Sequence, residues 1–293
     1  LDNIGSNYGS CLRLNGAAGP RGLAGITLMG TCSLNVAATA ENEPFELTDV
    51  RSDTPGQGRV LQIGATNGPN FAAFPTTLLG TSTVDVTFDV FNGSLSVTNG
   101  SGDIQGSVKV WSGSIFEVVG GGSEEILNLS GDGLVLGNVT VSNTLSPGIG
   151  PGTLTVTGAA TFLPTSVLAF DLDGSTTNVG SGANDLLALA GLGGNLTLDG
   201  TLNVAALSPF TGQGWGTNDY WTLITYEGAF FNDNTLDLGS LPALDSGLMW
   251  ALDTSVTGEI RLGIIIPEPT TWVLVCLGLG LFGWRARRGS TNP

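Results

Sequence analysis

Residues 145–162 read LSPGIGPGTLTVTGAATF, and this stretch decides the fold expected of the chain. Its Ser-Pro-Gly and Gly-Pro-Gly segments are turns: proline presets φ, and glycine supplies conformations that other residues avoid. Next comes GTLTVTG (152–158), which alternates apolar Leu154 and Val156 with Thr153, Thr155 and Thr157. A period of two sends one row of side chains into a core and the other into water. Related units recur as GSLSVTNG (93–100) and GNLTLDG (194–200). Each is one short strand plus a corner, too small to bury its own face but able to stack on a neighbour. Stacked rungs of a β-solenoid are therefore expected in preference to a sandwich, whose long-range pairing the sequence does not indicate.

The same alternation extends both ways. Upstream lie TVDVTFDVF (83–91), GSVKVWSG (106–113), SIFEVVGG (114–121), EILNLSG (125–131) and LVLGNVTVS (134–142); downstream lie SVLAFDLDG (166–174), DLLALAG (185–191) and TLNVAAL (201–207). Residues 1–80 carry shorter runs, such as LRLNG (12–16) and RVLQIGA (59–65), and form a β-rich N-terminal region that is a candidate for the first rungs. Residues 81–207 are the repeats. From 208 to 266 aromatics gather: Phe210, Trp215, Tyr220, Trp221, Tyr226, Phe230, Phe231 and Trp250. A solenoid needs its last rung covered, so this part is expected to be a β-rich cap plugged by rings, with a sugar-binding platform as the alternative.

The stretch 145–162, with FDLDG (170–174), NDLLALAG (184–191) and NLTLDGTLNVAAL (195–207), resembles the autotransporter-associated β-strand repeat of exported passenger domains. That resemblance implies a right-handed parallel β-helix: a scaffold, with no chemistry attached.

Composition narrows the function. The net charge is −16, charged residues are only 12%, and glycine is 46 of 293, about double its usual share. Lys109 is the single lysine. Nucleic acid is excluded as a partner, because phosphate binding needs Lys and Arg. There is no histidine, which removes serine-triad chemistry and His-ligated zinc. Cys11 and Cys32 are a candidate disulfide for an oxidising compartment, while Cys276 lies in an apolar run. The chain opens at Leu1 with no signal-peptide pattern, and a fragment start is expected.

Asp171 and Asp173 stand two apart on a strand and so share a face. They are candidates for Ca²⁺ or sugar contact, or for glycoside hydrolysis if a further acid lies across a cleft. A solvated outer face is the preferred reading, and so is the same reading for Asp85 and Asp89; Glu124-Glu125 is read as a corner. No metal and no cofactor are expected, Ca²⁺ being the one candidate. A β-helix lyase is disfavoured because residues 60–260 hold Lys109 as their only cation, leaving nothing to stabilise developing anionic charge.

The C-terminus departs from all this. Pro267-Glu268-Pro269 breaks any helix or ladder. WVLVCLGLGLFGW (272–284) follows, then Arg285, Arg287 and Arg288. A helix over about 270–284 would be roughly 22 Å long, short against a bilayer core of about 30 Å. Trp272 and Trp284 occupy the interfacial positions, and the arginines form a cytoplasmic anchor. This order closely resembles the PEP-CTERM sorting signal of exported proteins in Gram-negative bacteria that make exopolysaccharide. The resemblance implies recognition of Pro267, Glu268 and Pro269 by an exosortase-type processing enzyme, a transient membrane anchor, and delivery to the surface or matrix. The expectation is thus an all-β parallel solenoid with a β-rich cap and one C-terminal transmembrane helix, acting as a structural or adhesive protein, not an enzyme, and linked to exopolysaccharide and biofilm. The alternatives are a β-helix enzyme or a Ca²⁺-dependent adhesin acting on exopolysaccharide.

Overall fold

The computed structural model describes residues 45–53, 58–63, 74–98, 104–180, 182–232 and 236–267, and upstream the strands at 10–14, 21–23, 26–28 and 32–36. Among these residues every regular element is a strand. The strands form one 13-stranded and one 11-stranded sheet, parallel except at the C-terminal edge of the second, with a small third pairing of Ile26–Leu28 against Val50–Ser52. The chain visits the two large sheets in alternation. Val86–Val90 and Ser107–Val110 lie in the first sheet, with Gly93–Thr98 and Ile115–Val119 in the second. Ser10–Leu14, Cys32–Val36 and Arg59–Ile63 join the first sheet, so the N-terminal strands are rungs of the same stack.

Register makes the stacking concrete. On the first sheet Leu61 aligns with Phe88, Phe88 with Val108, Val108 with Leu129, Leu129 with Leu145, Leu145 with Leu168, and Leu168 with Leu202. All are buried. On the second, Leu95, Phe116, Val135, Val156, Leu189 and Tyr226 form a matching column. Each inward side chain stabilises by about 1.5–3 kcal/mol through burial. The outward positions carry Thr87, Ser107, Asn128 and Thr144 in register. The run at 134–142 is two strands, not one: Gly137, at φ 101°, turns the corner between Leu134–Leu136 and Asn138–Pro147.

Corners are locked by a repeated device. Asn138 Oδ1 accepts the Ala159 N–H at 2.8 Å, Asn195 Oδ1 that of Ala229 at 2.7 Å, and Asn203 Oδ1 that of Ser240 at 2.7 Å. In each case the residue before the donor is glycine. A Cβ on Gly158, Gly228 or Gly239 would lie 2.7, 2.4 or 2.4 Å from that same Asn oxygen. The rung-to-rung hydrogen bond therefore requires an Asn below and a glycine above, which satisfies a corner N–H that no ladder reaches.

Parallel stacking stops at the C-terminal end of the described residues. Tyr220–Tyr226 pairs antiparallel with Glu259–Ile265, which pairs antiparallel with Met249–Asp253. The first-sheet column ends on Leu238, 40% exposed. Behind the antiparallel strands Phe210, Trp215, Trp221 and Trp250 meet edge to face, with centroids 5.1–5.5 Å apart. Phe210 and Trp221 are buried. No helix among the described residues is long and apolar enough to cross a membrane. The expected span at 270–284, Trp272, Trp284, Arg285, Arg287 and Arg288 lie outside the described residues.

Candidate functional site

The strand Val167–Asp173 buries alternate residues, which leaves Asp171 and Asp173 on its outer side. Residues 174–180 and 182–185 then fold back over that side. Asp173 Oδ1 accepts from Ser175 N at 2.8 Å, from Ser175 Oγ at 2.7 Å, and from Ser208 Oγ. The Ser208 hydroxyl, then Ser175, hold its carboxyl below the usual range. Asp173 N–H donates to Asn184 Oδ1 at 2.7 Å, and Asn184 Nδ2 donates to the Thr176 and Asn178 carbonyls at 3.2 and 2.6 Å. Asp171 N–H donates to Asp185 Oδ2 at 2.7 Å, and Gly152 N–H to Asp185 Oδ1 at 3.0 Å. One buried carboxylate thus holds backbone donors from two other strands' ends.

Asn184 and Asp185 are the residues that reading the carboxylates from sequence missed. Each is 1% exposed; Asn184 closes its own loop onto Asp173, Thr176 and Asn178, and Asp185 ties Asp171 to Gly152 of another rung. The available signal was NDLLALAG, where Asn-Asp immediately precedes an alternating strand. Glu124 needs a correction of another kind. It is no surface corner: it lies fully buried in Ser123–Gly131, takes the inward position that Val139 occupies in the next rung, and Oε1 accepts the Ile104 N–H at 2.7 Å. Among the described residues no group of three or more His, Cys, Asp or Glu is placed to hold a metal ion. The backbone register sets Cys11 beside Ser33 and Cys32 beside Ser10; the cysteine side chains lie outside the described residues.

Burial pushes the Asp185 carboxyl up to about 7, against the pull of its two N–H donors. The sign follows from proton binding: between about pH 4 and 7 the folded state holds a proton that the unfolded state has released, so stability falls as pH rises through that window and levels off above it. The drop is at most about 4 kcal/mol, at about 1.4 kcal/mol per unit. Melting temperatures taken from pH 4.5 to 8 should fall more steeply for the native chain than for Asp185→Asn; equal slopes would remove Asp185 from the account.

The other feature to locate is the junction with the tail. Glu259–Ile265 is flanked on both sides, and Ile266 and Pro267 emerge exposed from its end. Arg261 anchors it, paired with Asp253 and set 4.1 Å over the Tyr220 ring. Hydrogen bonds from Ser255, then Arg261, hold the Asp253 carboxyl down at about 2. Glu268 and Pro269 lie outside the described residues.

Two comparisons bear on this arrangement. The family model of the PEP-CTERM protein-sorting motif matches residues 266–288. It starts one residue after the last strand and ends on Arg288. A 127-residue stretch, 43% of this chain, is 40% identical to the adhesin BmaC autotransporter of Brucella suis biovar 1 (strain 1330). That stretch covers 3% of the adhesin's length. The chain therefore ends in a PEP-CTERM sorting motif and carries a region similar to an autotransporter adhesin.

Proposed function

We propose that this PEP-CTERM chain is a surface or matrix protein whose stacked β body serves a structural or adhesive role, without enzymatic activity, in an exopolysaccharide-rich biofilm. The observation that carries the reading is the junction: a sorting motif begins at Ile266, directly where the last body strand ends. The motif implies an exosortase as processing partner. The expected helix at about 270–284 would hold the chain in the membrane until processing, with Arg285, Arg287 and Arg288 on the cytoplasmic side. The body is read as right-handed, the hand that parallel crossovers overwhelmingly take, and its antiparallel end as the cap. The outward column of Thr87, Ser107, Asn128 and Thr144 supports polysaccharide as the matrix partner, since it offers hydroxyls and amides in register along the stack. Asn128 Nδ2 already bridges to Ser107 Oγ at 2.8 Å.

The test is substitution of Pro267, Glu268 and Pro269 by alanine in the native host. Surface-exposed protein is expected to fall at least about tenfold, with full-length chain accumulating in the membrane. Mass spectrometry of the native mature protein should find its C-terminus at or beside residues 267–269. Unchanged surface display would sink the sorting role, and a mature chain that retains Arg285–Pro293 would make the tail a plain anchor.

A further inference from the structure

The outer face of the last antiparallel sheet is graded along the strands. Nearest the chain exit, Met249 faces Ile265 across the ladder, and both are exposed, at 52% and 44%. Ile266, 58% exposed, follows. One step back along the same face, Tyr220, Gly263 and Ala251 form a row across three strands, with Tyr220 44% exposed. A further step back, Arg261 stands opposite Asp253, and Glu259 begins the strand. The order from the exit inward is apolar, aromatic, then charged.

Such an order matches the depth profile of a bilayer surface. Aliphatic groups favour the acyl boundary, and tyrosine, with an apolar ring and a polar tip, favours the headgroup level. An arginine beside it keeps its charge in the headgroups. From Arg261 to Ile265 the strand rises about 14 Å at about 3.4 Å per residue, comparable to the headgroup zone plus the outermost acyl layer. The distance along the chain agrees. Two residues, Glu268 and Pro269, separate Pro267 from Thr270, where the expected helix begins, a span of at most about 11 Å. With so short a connection the exposed end of the body cannot stand clear of the membrane that the tail enters.

We propose that this sheet end, Tyr220, Met249, Ile265 and Ile266, is a lipid-contacting surface that seats the body on the outer face of the same membrane. The proposal rests on the membrane reading of the tail. The occupant is lipid, not a second copy of the chain, because the patch adjoins the exit and the tail brings lipid to it whatever the protein concentration. The chain's net charge of −16, with three of its nine cations in the tail, confines adhesion to this patch, since anionic headgroups repel the remaining acidic surface.

The full chain reconstituted into phosphatidylcholine vesicles carrying a photoactivatable diazirine phosphatidylcholine tests this. After illumination, peptides covering Tyr220, Met249–Asp253 and Ile264–Pro267 should carry lipid adducts at least about fivefold above the peptide containing Leu192, which is 98% exposed on the body. The Met249→Glu/Ile265→Glu double variant should lose those body adducts while keeping adducts on the 270–284 peptide. Adducts confined to the tail would overturn the seating and leave the membrane reading standing. No adducts on the tail would overturn the membrane reading itself. Chain-to-chain crosslinks from photo-methionine placed at position 249, with no lipid adducts on the body, would assign the patch to a second copy.

Discussion

Replacing Trp221 by alanine lowers the stability of the C-terminal rungs by about 3–5 kcal/mol, the range for emptying a large aromatic site. Trp221 is 1% exposed and centres a ring cluster, 5.1 Å from Phe210, 5.3 Å from Trp215 and 5.5 Å from Trp250. Its Nε1 also donates to the Thr176 carbonyl at 2.8 Å and more loosely to that of Asp173 at 3.3 Å. Truncation leaves a cavity and frees the segment that carries Asn184 and Asp185. Trp221→Phe restores most of the packing and loses the donor, and should cost about 1–2 kcal/mol. Stacked rungs couple to nearest neighbours, so the damage is local. Hydrogen exchange should accelerate in Leu186–Leu189, Tyr220–Tyr226 and Glu259–Ile265 and stay unchanged in Val86–Val90. Uniform acceleration along the chain would contradict nearest-neighbour coupling.

Gly131→Val is expected to be as severe, at about 3 kcal/mol or more. Gly131 closes the long strand Ser123–Gly131 at φ 117°, a conformation β-branched residues do not adopt without strain. Its Cβ would lie 2.0 Å from the Val110 carbonyl oxygen of the rung below, and backbone cannot step aside as a side chain can. The carbonyl of Gly131 also receives the Gly148 N–H at 2.7 Å, so any shift is passed to the rung above. Gly121→Ala separates the two causes. Gly121 has φ 81° with nothing within 4 Å of a Cβ, so it should show the conformational cost alone, about 1–2 kcal/mol. Urea titrations of the three proteins measure the difference; equal midpoints for the two substitutions would mean that the contact with Val110 is not limiting.

Strands were legible where one face is wet. GTLTVTG and SVLAFDLDG name their buried residues by alternation alone, and Leu154 and Phe170 are buried as the period requires; in TVDVTFDVF Phe88 is buried but Val84, before the strand starts at Val86, is exposed. Legibility fails where that contrast is lost. Four successive residues, Trp221 to Ile224, are buried because the ladder shifts between Thr222 and Ile224 and the ring cluster packs behind it. Gly137 hides a corner inside an apolar run, because a glycine's φ is invisible in a hydropathy pattern. At the carboxylates the difficulty was one of distance. Asp171 and Asp173 share the outer side of their strand, but the Asp173 carboxylate is taken by Ser175 and Ser208 and the two residues' backbone N–H groups by Asp185 and Asn184, and strand periodicity carries no information about which loop returns. The tail was readable because its signal is local: three residues, an apolar run and three arginines.

Any pull on the chain beyond Pro267 enters the body through Glu259–Ile265. That strand is held in two ladders, by Tyr220–Tyr226 on one side and Met249–Asp253 on the other. A terminal edge strand can be peeled one hydrogen bond at a time. A central strand drawn along its own axis must slide past both neighbours together, which loads the rungs of both ladders in parallel. Glu259–Ile265, the last described strand, would thus meet such a pull in shear, with the Arg261–Asp253 pair spanning one of its two ladders.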